Sequence, residues 1–272
     1  MRMIKFIVIV FILLFFSCDN EEIQRVYYDN DTLKEERIYI NKELKKKFEF
    51  DSLGVIRKKV FYSRGELDSL IVFDTDGYKE SKRLFIANNI YEKCYFKNGK
   101  TESEGSITKD SLSVGWWTFY YKNGLLKAKR EYFIVCGKSV LNQSVAFESK
   151  GDTIFKDDFN ESSFYDFKVT DLKNGKLKVD YHIVPLSNRS FLQLGIINKD
   201  DFCIIEEKDI DTAINLTSRK GVFIINQNKY NKGMIVDYRT KEKGVELNEG
   251  VSTLSRKMYF DLDDYIVEKP SK

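Results

Sequence analysis

Short apolar runs alternate with polar turns along most of the chain. Between about residues 26 and 151 the segments "KKVFYS", "SLIVFD", "KRLFIA", "KCYFKN" and "EYFIVC" are rich in aromatic and β-branched residues. Turn residues punctuate them every 11 or 12 positions. That spacing leaves room for strands of about 7 to 9 residues and predicts hairpins rather than long helices.

The pattern repeats. Aromatic residues precede a turn at Tyr28, Phe50, Phe73, Phe96, Tyr121 and Phe147, at intervals of 22, 23, 23, 25 and 26. The turn residues run in step as Asp31, Gly54, Gly77, Gly99, Gly124 and Gly151. A second turn falls midway, at Asn41-Lys42, Gly65 and Asn88-Asn89. Asp76-Gly77, Asn98-Gly99 and Asn123-Gly124 supply the positive φ of tight hairpin turns. Residues 26–151 therefore read as an antiparallel meander with one hairpin per repeat.

After Gly151 the period is lost. Residues 152–268 read as a second all-β unit, a β-sandwich with a hairpin around Asn174-Gly175. Its further strands lie in "FLQLGII", "GVFIINQ", "KGMIVDYRT" and "RKMYFDLDDYIV". "EEKDIDTAIN", from Glu206 to Asn215, predicts a helical turn, and residues 269–272 a frayed tail. The fold class is all-β throughout.

Composition removes several functions. The 45 Lys and Arg against 42 Asp and Glu leave +3, spread without a basic block, so nucleic acid is not an expected partner. His182 is the only histidine and shares a strand face with Lys178 and Asp180, opposite Leu177, Val179, Tyr181 and Ile183. No Ser-His-Asp or Cys-His mechanism can draw on a second histidine, and Gly-x-Ser-x-Gly is absent. The acidic stretches Asp261–Asp264 and Asp157–Glu161 lack the spacing of an EF-hand loop and read as solvated turns, although an all-oxygen calcium site stays open. The sequon at Asn215 matters only to a eukaryotic glycosylation pathway. No catalytic residue, cofactor or metal ligand is expected. Hydrolysis by two carboxylates of the C-terminal unit remains an alternative, because their separation is not legible in sequence.

The first residues set the location. "MRMIKFIVIVFILLFFSC" carries Arg2 and Lys5, then 11 apolar residues from Phe6 to Phe16, then Ser17 and Cys18. As a helix that run spans roughly 16 Å, half the hydrocarbon thickness, which fits a signal peptide over residues 1–17. "LLFFSC" resembles a bacterial lipobox, with Ser17 at the small position and Phe15 where an aliphatic residue is usual. The resemblance implies cleavage between Ser17 and Cys18 and lipidation of Cys18, so that membrane lipid is a partner. The acidic residues after Cys18 resemble an export signal to the cell surface and predict a tether over 18–25. The expected location is the bacterial envelope at the outer membrane, with the periplasmic and surface faces both open. Cys94, Cys136 and Cys203 allow at most one disulfide and are expected as buried thiols.

Within "GWWTFYYKNGLLKAKREY", the residues Gly115, Trp117, Tyr120, Asn123 and Gly124 fall on a Gly-x-Trp-x-x-Tyr-x-x-Asn-Gly pattern. This segment resembles the bacterial variant of the MORN repeat. The resemblance implies stacked hairpins that serve as a scaffold or contact surface and are not themselves catalytic. Some relatives of that family are antitoxins, which implies toxin neutralisation as an alternative. Trp116 points away from Trp117, so it either packs on the second unit or meets a partner. The expectation is a membrane-anchored lipoprotein, not an enzyme, that binds another envelope component through its repeat surface.

Overall fold

The computed structural model describes residues 20–87, 89–148, 151–154, 164–172, 174–184, 190–197, 202–203, 205, 210–216, 218–227, 231–239 and 254–265. All regular structure there is strand, apart from one 3-10 turn at Leu262–Tyr265. The chain divides into two compact units between Thr101 and Glu102.

The first unit holds β1 (Glu21–Tyr27), β2 (Leu33–Ile40), β3 (Glu43–Phe50), β4 (Ile56–Ser63), β5 (Glu66–Phe73), β6 (Lys79–Ile86) and β7 (Asn89–Tyr95), each antiparallel to the next. The sheet already begins at Glu21, inside the stretch read as a tether, because Ile23 meets Ile38 and Arg25 meets Glu36 across β1 and β2. Among the described residues of this unit, Val60 is the only buried apolar side chain.

Both faces of this layer carry mixed rows. One row runs Arg37, Lys47, Val60, Leu70, Arg83, Glu92; the other runs Glu36, Phe48, Lys59, Ile71, Lys82, Lys93. Stability here comes from cross-strand pairs, each contributing about 0.2–1 kcal/mol, rather than from a core. Lys47 bridges Glu35 and Glu49 at 3.0 and 2.8 Å, and Lys79 sits 3.5 Å over the Tyr95 ring. The repeat aromatics join successive hairpins: Tyr28 Oη donates to the Phe50 carbonyl at 2.8 Å.

The turns alternate between two kinds. At Asp51–Val55 the Gly54 N–H bonds the Asp51 carbonyl at 3.0 Å and the Asp51 N–H bonds the Val55 carbonyl at 2.9 Å. The same pair of bonds recurs at Tyr28–Thr32, Asp74–Tyr78, Phe96–Lys100, Thr108–Leu112, Tyr121–Leu125 and Glu148–Asp152. Where all their residues are described, these are three-residue loops with a single left-handed residue, and the expected positive φ falls at Gly77, Gly99 and Gly124. The two-residue turns lie midway, where both residues have positive φ: Asn41-Lys42, Arg64-Gly65 and Cys136-Gly137. The turn expected at Asn88-Asn89 starts one residue earlier, at Ala87 (φ 50°), and Asn89 opens β7.

The second unit begins with β8 (Thr101–Ile107), β9 (Ser113–Tyr120), β10 (Leu126–Val135), β11 (Lys138–Phe147) and β12 (Thr153–Ile154), which are also neighbours in chain order. Two further sheets follow. One has the order β13 (Phe164–Asp171), β14 (Lys176–Val184), β17 (Lys220–Asn226). The other has the order β16 (Ile210–Leu216), β15 (Ser190–Ile197), β18 (Lys232–Arg239), β19 (Leu254–Asp261). Their facing sides enclose one core, including Phe167, Val169, Val179, Leu194, Ile235 and Phe260, which makes them a β-sandwich.

The four-stranded sheet is buried on both sides. Its outer face, with Met234, Val236 and Tyr259, packs with Phe133, Val135 and Val140 of the β10–β11 hairpin. This explains the continuous apolar runs of β15, β18 and β19, and why the β8–β12 hairpins share a compact unit with the sandwich. Ile210–Leu216 is a strand where a helical turn was expected, because Ile214 and Leu216 alternate into the core while β16 pairs with β15. Cys136 and Cys203 form a disulfide, correcting the expectation of buried thiols; Cys94 stands outside it and is half-buried.

Candidate functional site

Adjacent polar residues inside an apolar strand mark the junction between the meander and the sandwich. β11 reads "KSVLNQSVAF", and Asn142 and Gln143 are 0% and 1% exposed. Asn142 behaves like a strand partner of Tyr259: its Oδ1 accepts from Tyr259 N–H at 2.5 Å and its Nδ2 donates to the Tyr259 carbonyl at 2.8 Å. Gln143 Oε1 accepts from the Tyr165 N–H at 2.8 Å. Both amide oxygens are committed to backbone N–H groups, and both amide nitrogens also reach β10. They converge on one atom, Glu131 Oε2, at 2.6 Å from Asn142 and 2.7 Å from Gln143. Tyr165 Oη completes the cluster by donating to the Tyr259 carbonyl at 2.5 Å.

Glu131 is 8% exposed. Burial raises its carboxyl above the ordinary carboxylate range, and Asp264 pushes the same way, against the two amide donors. Burial also raises the Tyr165 phenol, and it pushes Tyr265 up to about 12. The cluster fastens β11 to β13 and β19 through neutral donors and one carboxylate.

The same face continues outward. In register, Gln143 lies across from Glu131, and Glu131 lies across from Trp116 of β9. Trp116 is 48% exposed, whereas Trp117 is 5% exposed on the other face. Trp117 lies over Gly105, where a Cβ would come 2.5 Å from the ring, and its Nε1 donates to the Ser106 carbonyl at 2.9 Å. Alternation along β9 places Thr118 and Tyr120 beside Trp116, and Tyr120 Oη donates to Glu104 at 2.6 Å. This rim of Trp116, Thr118, Tyr120 and Glu104 is the candidate contact surface.

The remaining predicted positions are spread through the chain. Gly54, Gly77, Gly99, Gly124 and Gly151 occupy the left-handed positions of their turns, with φ between 80° and 97°. Ser17, Cys18 and the Asp157–Glu161 stretch lie outside the described residues. His182 sits edge-on to Phe164 at 6.3 Å between ring centres, in a row with Asp166 and Lys220. Asp261–Asp264 closes on itself, with Asp263 accepting from Asn231 at 3.0 Å and donating its N–H to Asp261 at 3.1 Å. Among the described residues no group of three or more His, Cys, Asp or Glu is arranged to hold a metal, and no helix is long and apolar enough to cross a membrane.

Sequence reasoning reached Trp116 and missed Glu131, Asn142, Gln143 and Tyr165. The available signal was the Asn-Gln-Ser run in the middle of an apolar strand. No protein-family profile matches the chain, and no curated protein matches it at a significant level.

Proposed function

We propose that this chain is a lipoprotein of the bacterial envelope, anchored through Cys18, that binds or scaffolds another envelope component without catalysing a reaction. The observation that carries the binding role is the half-exposed Trp116, on a face whose next row is devoted to holding the sandwich in place. An indole left in water beside a rigid, cross-braced sheet is a preorganised anchor of the kind that dominates interfaces.

Two further observations support the location. A disulfide between Cys136 and Cys203 suits an oxidising compartment and fits a cytosolic toxin-neutralising role poorly. β1 begins at Glu21, three residues after Cys18, so an acylated Cys18 would hold the first strand within about 10 Å of the bilayer surface. In sequence, the segment from Gly115 to Tyr132 resembles a MORN-type repeat, and the resemblance implies the role of a contact surface.

The test of the anchor is metabolic labelling with a palmitate analogue, followed by membrane fractionation. The wild type should be labelled and sediment with membranes, whereas Cys18→Ala should be unlabelled. Equal labelling of both chains would refute the anchor.

A further inference from the structure

β1 stands at the end of its sheet, hydrogen-bonded on one side only among the described residues. All seven of its residues are exposed, including Ile23 at 45%. Open strand edges invite pairing with another chain, and proteins commonly protect them with repelling charges of one sign. The charges of β1 are of both signs, and their order has a symmetry.

The direction of each backbone group follows from one bond. The Asn41 N–H donates to the Asn20 carbonyl at 3.0 Å, which makes Asn20 and Asn41 a hydrogen-bonded pair. Pairs alternate along an antiparallel ladder, so Glu22, Gln24 and Val26 also face β2. The N–H and C=O groups of Glu21, Ile23 and Arg25 therefore point outward, to the open edge.

A second copy of the same strand can satisfy them only in registers that pair these outward residues with each other. One such register centres a twofold axis on Ile23. It places Ile23 against Ile23 of the second copy, and Glu21 against Arg25 at both ends. The three hydrogen-bonded pairs supply about six backbone bonds. Within each chain Ile23 already lies across from Ile38, so a row of four isoleucines would cross the axis. Arg25 holds Glu36 through Nε at 2.7 Å, which leaves the other guanidinium nitrogens for Glu21 of the second copy.

We propose that β1 is a homodimerisation edge, where two copies pair antiparallel about Ile23 and join their sheets. The occupant is a second copy because the edge is self-complementary in charge, with acid and base equidistant from the centre. The inference stands on the strand and does not require the lipid anchor. A single strand pair is a small interface, so the expected association is weak in dilute solution and favoured where chains are concentrated.

The test uses the full chain in the cells that produce it, with cysteine placed at single positions and a short bis-maleimide as the probe. Ile23→Cys should yield a cross-linked dimer well above the wild-type background. Val26→Cys should not, because the two copies of residue 26 would lie six positions apart along the paired strands, roughly 20 Å. Charge provides a second arm: Glu21→Arg should lower the Ile23→Cys yield severalfold, and combining it with Arg25→Glu and Glu36→Arg, which keeps an ion pair between β1 and β2, should restore it. Equal yields from positions 23 and 26, or a combined reversal that fails to recover, would overturn the proposal. Dimerisation and palmitate labelling are read separately, so failure of one is distinct from failure of the other.

Discussion

Trp116 and Glu131 face each other across β9 and β10, and water reaches the first while the second is enclosed. Exposure thus falls from an indole to a carboxylate to the buried amide of Gln143 within one row of three strands. The carboxylate is the only formal charge among the hydrogen-bonding side chains of that cluster, and its neighbours Asn142 and Gln143 are oriented by backbone N–H groups of β13 and β19.

That geometry makes Glu131→Gln and Glu131→Ala behave differently. A glutamine oxygen can still accept from both amides, and the buried charge is gone; Glu131→Gln should match or exceed wild-type stability at pH 7. Glu131→Ala removes the acceptor that both buried amides share and should cost about 2–4 kcal/mol in chemical denaturation.

The pH dependence of that pair has a definite sign. Glu131 has a raised carboxyl in the folded chain, so between the ordinary carboxylate value and the raised one the folded state binds more protons than the unfolded state. Its contribution to stability is full at low pH and is lost as pH rises through that window. The advantage of Glu131→Gln over wild type should grow through the same window and then level off, as measured by denaturation at stepped pH. Asp261, raised by burial, acts in the same direction in both proteins and cancels from the comparison.

The two tryptophans should separate structure from contact. Trp117→Ala empties a buried site and should cost about 3–5 kcal/mol. Gly105→Ala drives a methyl into the same ring and should be destabilising by at least about 1–3 kcal/mol. Trp116→Ala should change the denaturation midpoint little, since its ring is half in water.

The Cys136–Cys203 bond closes a separation of 67 residues between the tip of the β10–β11 hairpin and the sandwich. In the chain-entropy account a loop of that length contributes about 4 kcal/mol. The double variant Cys136→Ser/Cys203→Ser should lower the thermal midpoint, and wild type with added reductant should approach it. Alkylation followed by mass analysis should find Cys94 modified and the other two protected until reduction.

The legible parts of the fold were those governed by local chemistry. Gly54, Gly77, Gly99 and Gly124 marked hairpin ends because only a left-handed residue closes those loops, and the aromatic stations followed from the need to stack hairpins. The kind of turn was not legible: Asn98-Gly99 serves equally well in a two-residue and a three-residue loop, and the neighbouring strand register decides. The packing of the β10–β11 hairpin on the sandwich was hidden for a similar reason. Nothing in Phe133, Val135 and Val140 says whether they pack on the next hairpin or on a sheet a hundred residues further along. Ile210–Leu216 looked helical while its acidic neighbours dominated, and its strand state depends on pairing with β15. The amide pair Asn142-Gln143 needed partners from Tyr165 and Tyr259, which lie 22 and 117 residues away, respectively.

The rim around Trp116 is proposed as a contact surface in the envelope. A photo-reactive amino acid placed at position 116, irradiated in intact cells, tests it most directly, with the same probe at Lys129 and at exposed Ile224 for comparison. A discrete adduct in the membrane fraction is expected from position 116, weaker at Lys129 and absent at Ile224. No adduct from position 116, or the same smear from all three, would contradict it.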